Sequence, residues 1–408
     1  HIQQEVKFYE NDLAKGVIDV KNWFFFRDLS NYKLNWEVIA NGEVVESGTI
    51  DNIELSPQAK KAIKIPFTTT FKKDVEYFLN VAAILKTDEP LLKAGYKVAY
   101  EQFKLQAANV QVPQKATDAV SYKSKGDVIS VTGKEFEVTF DQKTGTLTTF
   151  DFKNKKLVES GPEVNFWRAP VDNDYGAGTQ KRYKAWKDAG KSEKVTTAVK
   201  QLSKSEVQIS FTRDLFGGDA KLIETFIVDG NGAVKVTNEL KALKGKHPDF
   251  FKFGNKLVLP EAYKNITFYG KGPFEAYADR QHAAKVGLYK QTIAEQYFPY
   301  IRPQETGNKL EVRWVTLTKE DGSGIKFLSE NPLSVSALNF REDDLHSGDE
   351  RKQEHAGEID PRKEVFVNID GFQQGLGSIN SWGMLPLEQY RLPYKDYSYS
   401  YWMIPFEK

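Results

Sequence analysis

From one end to the other this chain repeats a single device: short runs in which apolar and polar residues alternate, cut by turn-forming residues. Val17–Val20, Lys33–Ala40 and Glu76–Ala82 read this way in the first hundred residues. An alternation of period two buries one face of a strand and leaves the other in water, so these runs predict half-buried sheet. Asn41-Gly42 follows the second run and signals a tight hairpin. Strands at this spacing over about 100 residues predict an immunoglobulin-like β-sandwich without its cysteine pair.

A polar stretch, Gln106–Lys125, with Pro113 and few large apolar residues, is the expected linker. Beyond it the alternation resumes at Val128–Thr132, Phe136–Phe140, Val207–Phe211, Lys221–Val228, Ala233–Leu240, Lys252–Leu259 and Ile266–Tyr269, with turns predicted at Thr144-Gly145 and Asp229–Gly232. The best helical candidate is Thr179–Ala189, where Tyr183 and Trp186 share a side and Gly190 supplies a stop. Nearly 300 mostly β residues exceed a simple sandwich and predict a large two-sheet assembly. The expected class is therefore all-β, in two domains, 1–112 and 113–408. The mixed-sign stretch Arg341–Glu354 reads as a solvated loop or short helix.

Charge excludes some partners. Lys and Arg total 57 against 56 Asp and Glu, so no global field draws nucleic acid or an anionic membrane, and neither is expected. No apolar run approaches a membrane-spanning length, and the first residues lack a signal-peptide pattern. They lead straight into a strand-like run, as a piece of a longer chain would. With no cysteine, thiolate metal sites and a Cys nucleophile are absent, and the count does not distinguish cytoplasm from periplasm. His1, His247, His282, His346 and His355 show no metal-ligand spacing, and no nucleophile elbow, phosphate loop or dinucleotide fingerprint occurs. No metal site is expected in this chain.

Four segments concentrate functional residue types. Phe166–Gly176 mixes aromatic, cationic and acidic residues; Lys271–Arg280 and Arg302–Asn308 combine turn formers with Glu, Arg and amides. Such groups hydrogen-bond sugar hydroxyls, or satisfy one another at a sheet end. The structural role is the weightier prior, with Arg168 pairing with an Asp and the aromatics filling core. The fourth, Asn368–Pro386, is a glycine-punctuated loop carrying Trp382. An indole there is either an exposed platform for the apolar face of a pyranose or a plug folded onto its own domain.

Phe166-Trp-Arg-Ala-Pro-Val-Asp-Asn-Asp174 resembles a segment in the C-terminal domain of the large bacterial β-galactosidases of glycoside hydrolase family 2. Gly272-Pro-x-Glu275-x-Tyr277-x-Asp279-Arg280, Pro303-x-Glu305-x-Gly307, Asn368–Phe372 and Ser381-Trp382 follow in that family's order, and Asp28–Tyr32 with Trp36 is similar to the sandwich domain after its catalytic barrel. The resemblance spans essentially the whole chain. It implies a galactose-mutarotase-like supersandwich for 113–408, and hydrolysis of terminal non-reducing β-D-galactose residues, with retention, by the longer enzyme. It also implies that the two catalytic carboxylates, and any Mg and Na sites, lie on N-terminal and barrel domains outside these residues. This chain then has no catalytic residue and no cofactor of its own, is inactive alone, braces the barrel, and lends Trp382 to the bound β-galactoside; the parent is expected to be a homo-oligomer. The alternative is a free-standing carbohydrate-binding or aldose-epimerase-like domain, with His247, His282 and Glu305 as the acid and base candidates.

Overall fold

The computed structural model describes every residue except 109–111, 192, 193, 353, 378, 379, 381, 382 and 408. It is all-β, as expected, and divides into two compact units: residues 1–110 with 285–288, and 111–284 with 289–408.

The first unit is a seven-stranded sandwich. Val6–Asp12, Val17–Asn22 and Lys60–Lys64 form one sheet, and Glu43–Ile50, Tyr32–Ala40, Tyr77–Leu85 and Lys97–Gln106 form the other in that order. The fourth strand in sequence pairs with the third, not with the three-stranded sheet, which is the variable-type placement of an extra strand beside the third. The predicted hairpin joins them: Asn41 and Gly42 have φ of 47° and 94°, the paired positive values a primed turn requires. Alternation supplies the core, with Tyr32, Leu34, Trp36 and Val38 facing Leu79, Val81 and Ala83.

In the second unit a five-stranded sheet, 121–158, shares one apolar core with a twelve-stranded sheet. Four consecutive strands from Val195–Ser203 to Val234–Ala242 form a meander along one side of the large sheet. Tyr397–Phe406, Gly324–Leu338, Val365–Gln373, Lys252–Leu259 and Ser160–Asn165 continue it to the opposite edge. This is the two-sheet supersandwich that strand count and resemblance predicted. No helix among the described residues is long and apolar enough to cross a membrane.

Two expectations change. The linker ends at 120, because Ser121–Lys125 is a strand pairing with Val128–Thr132. All five of its residues are exposed, so it carries no alternation to read. The Thr179–Ala189 helix is instead two single turns, Thr179–Arg182 and Lys184–Lys187, preceded by a third, Asp172–Ala177. Gly178 at φ 68° ends the first turn, and the chain breaks again at Tyr183. The break matters for packing: Tyr183 joins Trp167 and Phe251 in a small cluster, while Trp186 enters the main core.

Candidate functional site

All the segments singled out by sequence meet within the second unit, around the root of the glycine loop. The start is Arg168, wholly buried, whose Nη1 lies 3.0 Å from Asp174 Oδ2. Asp174 also accepts from Val171 N at 2.8 Å and Thr179 Oγ1 at 3.1 Å. Burial pushes its carboxyl above the ordinary value, and Arg168 works against that shift. The guanidinium also sits 4.7 Å over the Phe251 ring and donates through Nη2 to the Gly375 carbonyl at 3.3 Å. A buried charge is tolerated only when paired and hydrogen-bonded, and here the pairing ties one strand end to the loop.

Beside it is a second buried charge cluster. Lys252 Nζ lies 3.0 Å from Glu342 Oε1 and 3.5 Å from Asp370 Oδ2. Burial alone would lower the ammonium, but Asp370, Glu342 and Glu305 outweigh it and hold its pKa above the ordinary value. The same burial raises Asp370 to about 7 and lifts Glu305, with Lys252 opposing both shifts. Backbone geometry makes room for Asp370. Gly254 is its register partner on the neighbouring strand, and a Cβ at Gly254 would fall 1.7 Å from Asp370 Oδ1. Glu305 accepts from Tyr277 OH at 3.5 Å and Gln373 Nε2 at 3.4 Å.

The third group fixes the loop directly. Asp279 accepts from two successive backbone amides, Leu376 N at 3.0 Å through Oδ1 and Gly377 N at 2.6 Å through Oδ2. Ionised acceptors on backbone N–H groups make strong hydrogen bonds. The approach is so close that a Cβ on Gly375 would stand 2.6 Å from the Asp279 carboxyl carbon, which is why the loop needs glycine there. Gln374 N donates to Phe251 O at 2.7 Å, and Gly375 N to Tyr390 O at 2.9 Å. Nearby, Glu275 takes Arg280 and Tyr300 OH, and also Gly307 N at 2.8 Å.

The polar residues of the motifs thus largely satisfy one another, and Arg168 pairs with an aspartate as expected. Asp172 and Asp174 take different roles, one half-exposed against Arg302 and the other buried against Arg168. Among the described residues no group of acids and histidines has the arrangement of a metal site. The epimerase candidates do not converge. His247 is held by Asp219 at 2.9 Å and stacks on Phe216, His282 is exposed, and Glu305 belongs to the Lys252 cluster. Trp382, the predicted sugar-stacking residue, lies outside the described residues. Sequence reasoning missed Lys252, although a lone cation inside Phe250-Phe251-Lys252-Phe253 was a visible anomaly, since lysine is almost never fully buried unless paired.

The fold and site together define an all-β protein with a buried polar network at the root of a glycine-rich loop. The β-galactosidase small-chain family model matches residues 132–403, and the model for β-galactosidase domain 4 matches residues 18–106. The chain belongs to the β-galactosidase small-chain family. It is 31% identical to a β-galactosidase of Priestia megaterium over 97% of this chain and 38% of that protein. To BgaC, a β-galactosidase of Bifidobacterium adolescentis, it is 29% identical over 96% of this chain and 38% of that protein. The chain thus spans under two-fifths of the length of these relatives. A putative mutarotase from Salmonella typhimurium aligns with 73% of this chain and 97% of its own, at 12% identity and a TM-score of 0.39, a likeness that bears no weight here.

Proposed function

We propose that this chain is the C-terminal part of a β-galactosidase that hydrolyses terminal non-reducing β-D-galactose residues, and that its role is to brace a catalytic barrel and present Trp382 to the bound sugar. The observation that carries the reading is the match of both family models in order along a chain that covers only 38% of its β-galactosidase relatives. In this account the remaining domains hold an acid/base carboxylate and a nucleophilic carboxylate about 5 Å apart for a retaining displacement, together with any Mg or Na sites. Homo-oligomerisation belongs to that whole enzyme.

The residues of this chain contribute positioning. Asp279 and Arg168 grip the backbone at Gly375–Gly377, five residues before Trp382. Ordering that backbone in advance removes an entropic cost from sugar binding. A single indole stacked on a pyranose contributes only about 1 kcal/mol, so the platform is useful only beside other contacts. The test is hydrolysis of a chromogenic β-galactoside by this chain alone and after mixing with a separately produced portion carrying the barrel. Silence alone and activity on mixing support the reading. Turnover by the chain alone, or none on mixing with a folded barrel portion, counts against it.

A further inference from the structure

The loop that leaves the sandwich strand Val17–Asn22 turns three aromatic rings to solvent. Trp23, Phe25 and Phe26 are 42%, 73% and 99% exposed, and the Phe25 and Phe26 rings lie 6.3 Å apart. A lone apolar side chain on a surface is ordinary, but three large rings within four residues mark an interaction site. Phe24, between them, turns inward and stacks on Tyr32 at 6.1 Å, so the outward rings are set by the backbone.

That backbone is fixed from beneath. Asn22, wholly buried, donates to the carbonyls of Arg27 at 2.8 Å and of Leu55 and Ser56 at 3.2 Å, and accepts from Phe24 N at 2.9 Å. Gln58 Nε2 donates to Trp23 O at 2.7 Å and to Phe24 O at 3.1 Å. Arg27 Nη1 closes the far side on Glu89 at 2.8 Å and on Tyr32 OH at 3.0 Å. A loop ordered in advance loses little entropy when a partner covers it. The neighbouring cations are already engaged: Lys21 donates to the Gln58 carbonyl with its ammonium 5.0 Å over the Trp23 ring, and Arg27 holds Glu89. The patch therefore offers apolar area and few converging polar groups, which fits a protein surface and not a sugar.

Position says which surface. Trp23 N donates to Glu5 O at 2.7 Å, one step beyond the pairing of Val6 with Asn22, so the loop stands at the end of the sheet where the chain enters. The four residues from His1 to Glu5 span at most about 14 Å, so polypeptide joined ahead of His1 starts within that distance of the bond. The chain matches only 38% of the length of its β-galactosidase relatives, which leaves a large body of polypeptide to be placed. We infer that Trp23, Phe25 and Phe26 form the contact by which this sandwich docks on the barrel portion of the longer enzyme, an apolar surface of that portion covering the rings. The inference rests on the proposed function for the identity of that portion.

The test is calorimetric titration of the full chain with the separately produced portion carrying the barrel, for the wild type, Phe25→Ser and Phe26→Ser. Hydroxyl-radical footprinting of the chain alone and of the longer enzyme accompanies it. Both rings are exposed, so each variant should keep the wild-type denaturant transition. The expected result is a complex that weakens about tenfold or more in each variant, the scale of an aromatic hot spot. Oxidation of Trp23, Phe25 and Phe26 should be strong in the chain alone and suppressed in the longer enzyme. Unchanged affinity in both variants, no complex with a folded barrel portion, or equal oxidation in the two proteins overturns the inference. Sedimentation that shows the wild type dimerising alone and the variants not doing so also overturns it, because a second copy then covers the rings. A ring-dependent complex without β-galactosidase activity keeps the docking patch and removes the proposed function. Activity restored alike by wild type and variants, at equal affinity, removes the patch and leaves the function standing.

Discussion

The two units solve the same problem with different interiors. Among the described residues, the sandwich buries three polar or charged side chains, Asp19, Asn22 and Glu76. Asn22 donates to Arg27 O at 2.8 Å and accepts from Phe24 N at 2.9 Å, so one amide holds one loop, while Asp19 and Glu76 pair with the half-exposed Lys60 and Lys104. The larger unit buries Arg168, Asp174, Arg213, Glu224, Lys252, Glu305 and Asp370, each paired or networked. A buried ion pair is a poor device for stability alone, because desolvation offsets much of the attraction. The contrast teaches that the larger unit buries charge where it anchors loop backbone, Arg168 at the Gly375 carbonyl and Arg213 at the carbonyls of Thr144 and Gly145, whereas the sandwich keeps an almost wholly apolar interior.

The sharpest break of that comparison is Arg168→Met. It leaves Asp174 buried without its counter-charge, and should cost about 3–5 kcal/mol in the denaturant transition of the larger unit, with the sandwich transition unmoved. Arg168→Met with Asp174→Leu should recover most of the loss, since a matched apolar pair leaves no orphan charge. If the single change is neutral, the ion pair is not the anchor described here. The matching change in the sandwich is Leu79→Ala, fully buried between its sheets, which should cost about 3 kcal/mol in the first unit only.

A smaller effect separates the units by pH. Asp370 has its folded pKa raised from 3.8 to about 7, so between these values the folded state holds a proton that the unfolded state has released. Stability contributed by this group is therefore greatest near pH 4 and falls as pH rises toward 7, by at most about 1.4 kcal/mol per unit. Asp370→Asn should flatten the stability profile of the larger unit across that window and leave the sandwich profile alone. A variant whose profile parallels the wild type over pH 4–7 would show that Asp370 does not titrate there.

Much of the fold could be read in the residues because alternation reports burial directly. Val128–Thr132 and Lys252–Leu259 have the predicted bounds, and the Asn41-Gly42 turn has the predicted conformation. What alternation does not mark was not legible. Ser121–Lys125 is exposed on every residue, and the broken turns after Val171 owe their shape to Gly178 and to two separate aromatic clusters. The site was half legible. Residue types in Phe166–Asp174 and Gly272–Arg280 announced a polar network, but partners more than 90 residues apart, such as Asp279 and Leu376, are set by strand register and not by local spacing.

The smallest predicted effect concerns that last contact. Asp279→Ala removes two acceptors from backbone amides at a partly solvated site, and should loosen the loop by about 1–2 kcal/mol without changing global stability. Hydrogen exchange at Leu376 and Gly377 should quicken by about tenfold or more, while the strand amides of Val365–Gln373 stay protected. Equal protection in variant and wild type would assign the loop's order to other contacts.

The central claim is that this buried network exists to position the loop that carries Trp382. It is tested most directly by a double-mutant cycle in the reconstituted β-galactoside assay, with Asp279→Ala, Trp382→Ala and both together. The account predicts that each single change lowers kcat/KM and that the double change is no worse than Trp382→Ala alone, because a misplaced platform and a missing one lose the same interaction. Independent, additive losses, or full activity in Asp279→Ala, would contradict it.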